Sequence, residues 1–400
     1  MGRFTQGQRL TGWHGAWALV LALVMAALYY GTDAVQSLDR HLYDAASSRA
    51  AHVPLDEIVV VAMDEASLDR MGAWPWPRDT SAQLVDRLSS AGAKTIVLAT
   101  PLDAPQSNLA QPFFQKIRGL LRTAPPEAAV LKEQVGRALD EADAALDADA
   151  RLAISLRNAG NVLLPTQLLA PSGAAAGGRT LPSYVHRSAL PDLGAGFVLP
   201  ASAGAQPLAL FGQAAAGIGH MQTGPEGVDG IVRQAPLLLG LDGAAVPSLA
   251  LLTAMHSLHL GAAQVKPVDG HALRLGGLLL PSGSPALLRP QIYRNQDGAP
   301  PFPVFSFQDV LQGKVPAAQW RDKIVLVGAT APRIQPLLRV PGGGQLAPVE
   351  LLAHQVSSIR QGHLYTEPAW GGAVMWGGLV AVLFFGAVVL PHWRVPQGVA

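Results

Sequence analysis

The chain has no cysteine in its 400 residues, which excludes a disulfide framework, thiolate metal sites and thiol catalysis. Charge is sparse and balanced, with 14% Asp, Glu, Lys and Arg and a formal net charge of +1. With no basic run either, there is no electrostatic footprint of a nucleic-acid surface. A G-x-S-x-G elbow, an H-E-x-x-H helix and a Walker loop are all missing. No nucleophile–base pair or metal set is therefore legible, no cofactor or metal is implied, and any enzymatic activity would have to lie elsewhere.

What is present is a large central region between two apolar runs. Trp13 to Tyr30 (WHGAWALVLALVMAALYY) comes first, and Trp370 to Leu390 (WGGAVMWGGLVAVLFFGAVVL) comes last. At a rise of about 1.5 Å per residue each is long enough for roughly 30 Å of hydrocarbon. They predict two transmembrane helices around residues 31–369. A cleaved signal peptide is the alternative for the first run, but the run exceeds the usual h-region and no A-x-A site follows. Arg3 and Arg9 flank the first run and Arg394 follows the second, with no acid beside them. This places the head (1–12) and tail (391–400) in the cytoplasm and the middle outside, at a bacterial inner membrane. Ala18, Ala22 and Ala26, and likewise Ala373, Gly377 and Ala381, form small-residue stripes that favour helix pairing.

The central region alternates strand and helix patterns. A polar stalk (TDAVQSLDRHLYDAASSRAA) precedes EIVVVAM (57–63), a continuous apolar run expected of a strand covered on both faces. DTSAQLVDRLSSAG carries Leu84, Val85, Leu88 and Ala91 at helical spacing with Gly92 as its stop. KTIVLAT (94–100) follows as a second buried strand, giving a βαβ unit with parallel strands. A long acidic helix ending at Gly160 leads to NVLLP. GIGHMQ (217–222) and IVRQAPLLLGL (231–241) read as a hairpin across Asp229–Gly230. After PSLALLTAMHSLHLG and short strands turning at Asp269–Gly270 and Asp297–Gly298 come KIVLVGAT and a last helix, VELLAHQVSSIRQG. PSGAAAGGRTLPS (171–183) reads as an exposed excursion. The expected fold is α/β, a mostly parallel sheet covered by helices with an antiparallel β insert, plus the two transmembrane helices.

The candidate ligand-binding residues are Asp64, Glu65, Trp74, Trp76 and Arg78. Asp64 and Glu65 follow a parallel strand, the edge where open α/β sheets place ligands; capping the next turn is the plainer role. In Trp74-Pro75-Trp76-Pro77-Arg78 each Trp precedes Pro, which favours extended geometry. The pentapeptide suits a stacking platform beside Arg78, or a packing lid with Arg78 bonded to Asp64 or a strand-end carbonyl; the lid is favoured. Asp140, Asp143 and Asp147 share a helical face, read as solvated rather than cation-binding, and His256 and His259 lack a carboxylate partner.

The ordered blocks LYD (42–44), IVVVAMDEASLDRMGAWPWPR (58–78), LVDRLSSAGAKTIVLATPL (84–102), GHMQTGPEGVDGIVRQAPL (219–237), PSLAL (247–251), FSFQDVLQGKVPAAQWRDKIVLVGATA (305–331) and PVELLAHQ (348–355) resemble the second CHASE family of extracellular sensory domains. The resemblance implies the input half of a bacterial receptor, with a nucleotide cyclase, diguanylate cyclase or kinase as output. It also implies a homodimer that senses an unknown small ligand or envelope protein. Two departures bear on the ligand: Ala99–Thr100 stands where the family usually has an acid, and 332–341 replaces a Gly-rich, Asp-containing turn. An envelope docking protein and an anchored periplasmic enzyme are the competing readings.

Overall fold

The computed structural model describes Val20, residues 34–49, and residues 52–365 except 107–109, 124, 126–127, 170–179, 192, 195, 225–228 and 296–297, together with residues 370–385. The chain divides into two units, Met1–Ala50 with Thr366–Ala400, and Ala51–Tyr365.

In the first unit the stalk is a helix, Ala34–Arg49. The second apolar run forms the helix Gly371–Phe384, of 14 residues. The described part of the run thus rises about 21 Å, against the roughly 30 Å of a hydrocarbon core. Among the described residues no helix is long and apolar enough to cross a membrane, which corrects the expectation of two transmembrane helices. The first run, including Ala18, Ala22 and Ala26, lies outside the described residues apart from Val20. Ala373, Gly377 and Ala381 are exposed on the second helix, and a Cβ added at Gly377 would meet nothing within 4 Å.

The second unit is built on a six-stranded sheet. Its strands are β1 (Ile58–Met63), β2 (Thr95–Leu98), β3 (Val162–Thr166), β4 (Gly217–His220), β5 (Val304–Ser306) and β6 (Ile324–Ala329). They lie in the order β5-β1-β6-β2-β3-β4 and every pair is parallel. The helices that support them are α1 (Glu65–Met71), α2 (Arg78–Ser90), α3 (Gln111–Arg122), α4 (Ala129–Ala145), α5 (Ala148–Ala159), α6 (Ala209–Ala214), α7 (Leu249–Ser257), α8 (Phe307–Leu311) and α9 (Pro348–Gln361).

Strand periodicity sorts the core into two layers. Val59, Val61 and Met63 of β1, with Ile96, Leu98, Val325 and Val327, pack on α2, α5 and α8. Ile58 and Val60, with Val97, Ile324 and Leu326, face α7 and α9. Both faces are therefore covered, as the unbroken apolar runs require. The sequence places KIVLVGAT last among the strands, whereas the fold threads it between β1 and β2, with Ile324 opposite both Ile58 and Thr95.

Three local readings change. The long acidic helix is two helices, α4 and α5, because the Asp147 carboxylate accepts from the Ala150 N–H at 2.9 Å and starts a new helix. Gly160, at φ +65°, ends α5 as expected. GIGHMQ does not pair with residues 231–241; it is the edge strand β4, hydrogen-bonded to β3. Leu238–Leu241 instead turns back on Ala244–Pro247 through Asp242 and Gly243, both at positive φ. Asp229 is engaged otherwise, holding Arg233 at 2.7 Å and the Ile231 N–H at 3.2 Å. The antiparallel insert is present as that hairpin and as the three-stranded Val265–Val268, Ala272–Leu275, Leu278–Pro281 ribbon.

Candidate functional site

The segments leaving the carboxyl ends of β2, β3, β4 and β6 enclose a cleft of about 510 Å³. This is the edge at which parallel sheets put ligands, because helix starts and loop backbone groups converge there. The volume lies within the usual range for a small-molecule pocket, about 300–1,000 Å³. Thr100 and Asp103 come from the β2 end, Thr166 and Gln167 from β3, Gln222 and Thr223 from β4, and Ile334, Gln335 and Leu338 from the chain after β6. Pro348, which begins α9, and Trp74 close the sides.

The site candidates separate here. Trp74 lines the cleft, whereas Asp64, Glu65, Trp76 and Arg78 are not among its walls. The Asp64 carboxylate caps α1, accepting from the Ser67 N–H at 2.9 Å and from the Ser306 hydroxyl at 3.0 Å. Glu65 pairs with Arg333, which also reaches Asp69 at 3.0 Å. Trp76 is 7% exposed, donates its Nε1–H to the Gly72 carbonyl at 2.9 Å and packs on Phe307 at 4.9 Å between ring centroids. It is a lid over the layer formed by α2 and α8. Trp74 stands edge-on to it at 5.4 Å, so the buried indole holds the one that faces the cleft.

Arg78 does not reach Asp64. Its guanidinium donates to the Ala104 carbonyl at 2.6 Å, lies 3.5 Å from the Asp149 carboxylate and sits 4.9 Å over the Phe211 ring. Burial pulls its pKa below the ordinary value, opposed by Asp149 and Asp103. Arg78 thus ties α2 to α5 and to the loop after β2.

At the end of β4, His220 is completely buried. Its Nδ1 accepts from the Gln222 N–H at 3.3 Å, and its Nε2 has no hydrogen-bond partner among the described residues. Desolvation lowers its pKa to about 3, so the ring is neutral and the proton sits on Nε2. The side chain borders a cavity of about 30 Å³ that shares Met221, Gln222, Thr223, Leu338 and Pro348 with the cleft.

A wider groove of about 710 Å³ lies over α3, α4 and α5. Most of its charged groups pair with one another, Arg118 with Asp140 and Asp143 at 2.8 and 3.1 Å and Arg151 with Asp79 at 3.0 Å, although one buried oxygen each of Asp79 and Asp149 has no hydrogen-bond partner among the described residues. The acidic face is thus bound to Arg118, and Asp147 is a cap. His256 is hydrogen-bonded to Thr95 at 2.9 Å. No group of three or more His, Cys, Asp or Glu suited to a metal ion occurs among the described residues. In the sheet-edge cleft the Thr166 hydroxyl is spent on the Gln206 carboxamide oxygen at 2.6 Å, but the side chains of Thr100, Gln222, Thr223 and Gln335 make no hydrogen bond among the described residues, which makes it the better site.

Most of the wall residues missed in the sequence follow a strand within a few positions: ATPLD after β2, TQ at the end of β3, MQT after β4. The strand-end rule, applied to β1 alone, would have found them at the other strands. Ala99–Thr100 and part of 332–341, the two departures from the resembled family, both form walls of this cleft.

No curated protein and no solved structure matches the chain. The sequence model of the CHASE2 domain matches residues 18–390, almost the whole chain. With a parallel α/β domain and a cleft at its sheet edge, the chain belongs to the CHASE2 domain family, sensory domains found in signalling receptors.

Proposed function

We propose that the chain is the extracytoplasmic input module of a bacterial receptor held at the cell membrane, and that the cleft beyond β2, β3, β4 and β6 receives its signal. The observation that carries this reading is the cleft, walled by hydroxyl and carboxamide side chains at the sheet edge. The output is a nucleotide cyclase, a diguanylate cyclase or a kinase located elsewhere in the receptor. A ligand acts by its differential affinity for two packings of the domain. The route outward is α9, which starts at the cleft with Pro348 and packs along β1 and β6 through Val349, Leu352, Val356 and Ile359. Two copies of the receptor bring two outputs together.

Thermal melting of the purified chain against a panel of small metabolites tests this. A saturable rise in melting temperature that disappears in Trp74→Leu supports the cleft; a rise unaffected by cleft substitutions moves the site elsewhere. A docking role is favoured by one separate observation. Phe113 and Leu120 of α3, with Val130 and Leu131 of α4, are 60–71% exposed, an apolar surface that a partner protein in the envelope would cover.

A further inference from the structure

The buried His220 indicates what kind of molecule the cleft takes. An N–H buried without a partner carries its full desolvation penalty, so orphaned donors in a folded core call for an occupant. His220 cannot satisfy itself by turning its other nitrogen, because Nδ1 is committed to the Gln222 N–H. The cavity beside it, about 30 Å³, is large enough for one oxygen atom, since roughly 10–15 Å³ admits a water. It adjoins the cleft, the two spaces sharing Met221, Gln222, Thr223, Leu338 and Pro348 as walls, so a molecule seated in the cleft lies next to it.

Resting on the reading of the cleft as the ligand site, we propose that a ligand seated there extends one oxygen into the adjoining small cavity, where His220 is a fixed, uncharged donor. The ligand is then a small neutral hydroxyl-bearing molecule, a sugar or polyol, one oxygen of which accepts the Nε2–H. Three features define that class. Among the described residues no Lys or Arg lines either space, so an anion would be desolvated without a counter-charge. Among the described wall residues the one carboxylate, Asp103, is exposed. The remaining polar groups are hydroxyls and carboxamides, which both donate and accept, beside the flat apolar face of Trp74. Gln355, half-buried on α9 at the small cavity, offers the same oxygen a second partner and connects the ligand to that helix.

The test is calorimetric titration and thermal melting of the full chain with D-glucose, D-ribose, myo-inositol and glycerol, against succinate, inorganic phosphate, L-glutamate and spermidine. At least one neutral compound should bind and raise the melting temperature, while the charged ones do not. Trp74→Leu should weaken that binding at least tenfold. His220→Phe should do the same, and His220→Gln, which keeps a donor, should recover part of it. If His220→Phe fails to fold, ¹⁵N-histidine spectra of the unaltered chain carry the test: one Nε2–H resonance must move on saturation. Binding of a charged compound that Trp74→Leu abolishes would keep the cleft and overturn the neutral class. Neutral binding with no histidine response would leave His220 facing a trapped water and overturn its role. No binding by any of the eight compounds overturns the ligand class, and failure of a wider metabolite panel overturns the cleft itself.

Discussion

The Ser306 hydroxyl donates to the Asp64 carboxylate at 3.0 Å across 242 residues of sequence. It joins the ends of two adjacent parallel strands, β5 and β1. The Ser67 hydroxyl, 2.9 Å from that of Ser306, completes the cluster. One carboxylate thus caps α1 and holds the sheet edge together, which commits it to structure rather than to a ligand.

Asp64→Ala should destabilise the domain by about 1–2 kcal/mol, the cost of losing a cap with a second hydrogen bond. Urea denaturation reads this directly. Ligand binding at the cleft should be unchanged at temperatures where the variant is folded. A variant with full stability and lost binding would return Asp64 to the site.

Trp76→Ala should cost about 3–5 kcal/mol, as expected for truncating a large buried aromatic. It removes the contacts with Phe307 and the bond to the Gly72 carbonyl. Trp74→Ala, at a half-buried position lining the cleft, should cost clearly less while altering binding. Melting curves of the two variants side by side decide it. Equal losses would mean that both indoles are core.

Gly328 lies inside β6, opposite Ala62, and not at a turn past the end of the strand. Its φ is ordinary, so the requirement is space: an added Cβ would lie 2.8 Å from the Val349 Cβ. Gly328→Val should therefore push α9 off the sheet and destabilise strongly, and Val349→Ala in the same chain should recover part of the loss. If the double variant is no more stable than the single one, the obstruction lies elsewhere.

His220 and His354 are both fully buried, and desolvation holds each near a pKa of about 3 against the ordinary 6.5. Arg294 pushes His354 the same way, and the Tyr293 N–H donates to its Nδ1 at 3.1 Å. His256 and His363 are lowered too. The unfolded chain binds these protons and the folded one does not, so stability is full above pH 6.5 and falls as pH drops below it. Each fully buried histidine contributes a slope of up to about 1.4 kcal/mol per pH unit. Denaturant midpoints at pH 7.5 and 5.0 should show the decline, above the range in which the lowered Asp229 and Asp309 titrate. A flat profile would mean that neither imidazole is buried in its neutral form.

The described helix Gly371–Phe384 exposes Ala373, Gly377 and Ala381, and the absence of native cysteine makes single-cysteine crosslinking clean. If the receptor is a dimer through this face, Cys at 373, 377 or 381 should crosslink between chains more efficiently than at 375 or 379. Uniform crosslinking around the helix would remove it as the contact.

The elements were written locally. An unbroken β-branched run such as IVVVA cannot be solvated on either face, so EIVVVAM, KTIVLAT and KIVLVGAT announce buried strands without reference to anything distant. Helical spacing of Leu84, Val85 and Leu88, with Gly92 behind them, did the same for α2, and the ordered blocks identified the family. What sequence order does not carry is adjacency. That β6 enters between β1 and β2, that Arg78 finds Asp149 rather than Asp64, and that GIGHMQ joins the sheet instead of a hairpin are outcomes of packing among segments tens to hundreds of residues apart. The same holds for the cleft. Thr100, Thr166, Gln222 and Gln335 are unremarkable polar residues, each at or after a strand end, and only the parallel register gathers them at one edge. The unspent N–H of His220 follows from burial and from the neighbour that occupies its other nitrogen, which only the tertiary structure decides.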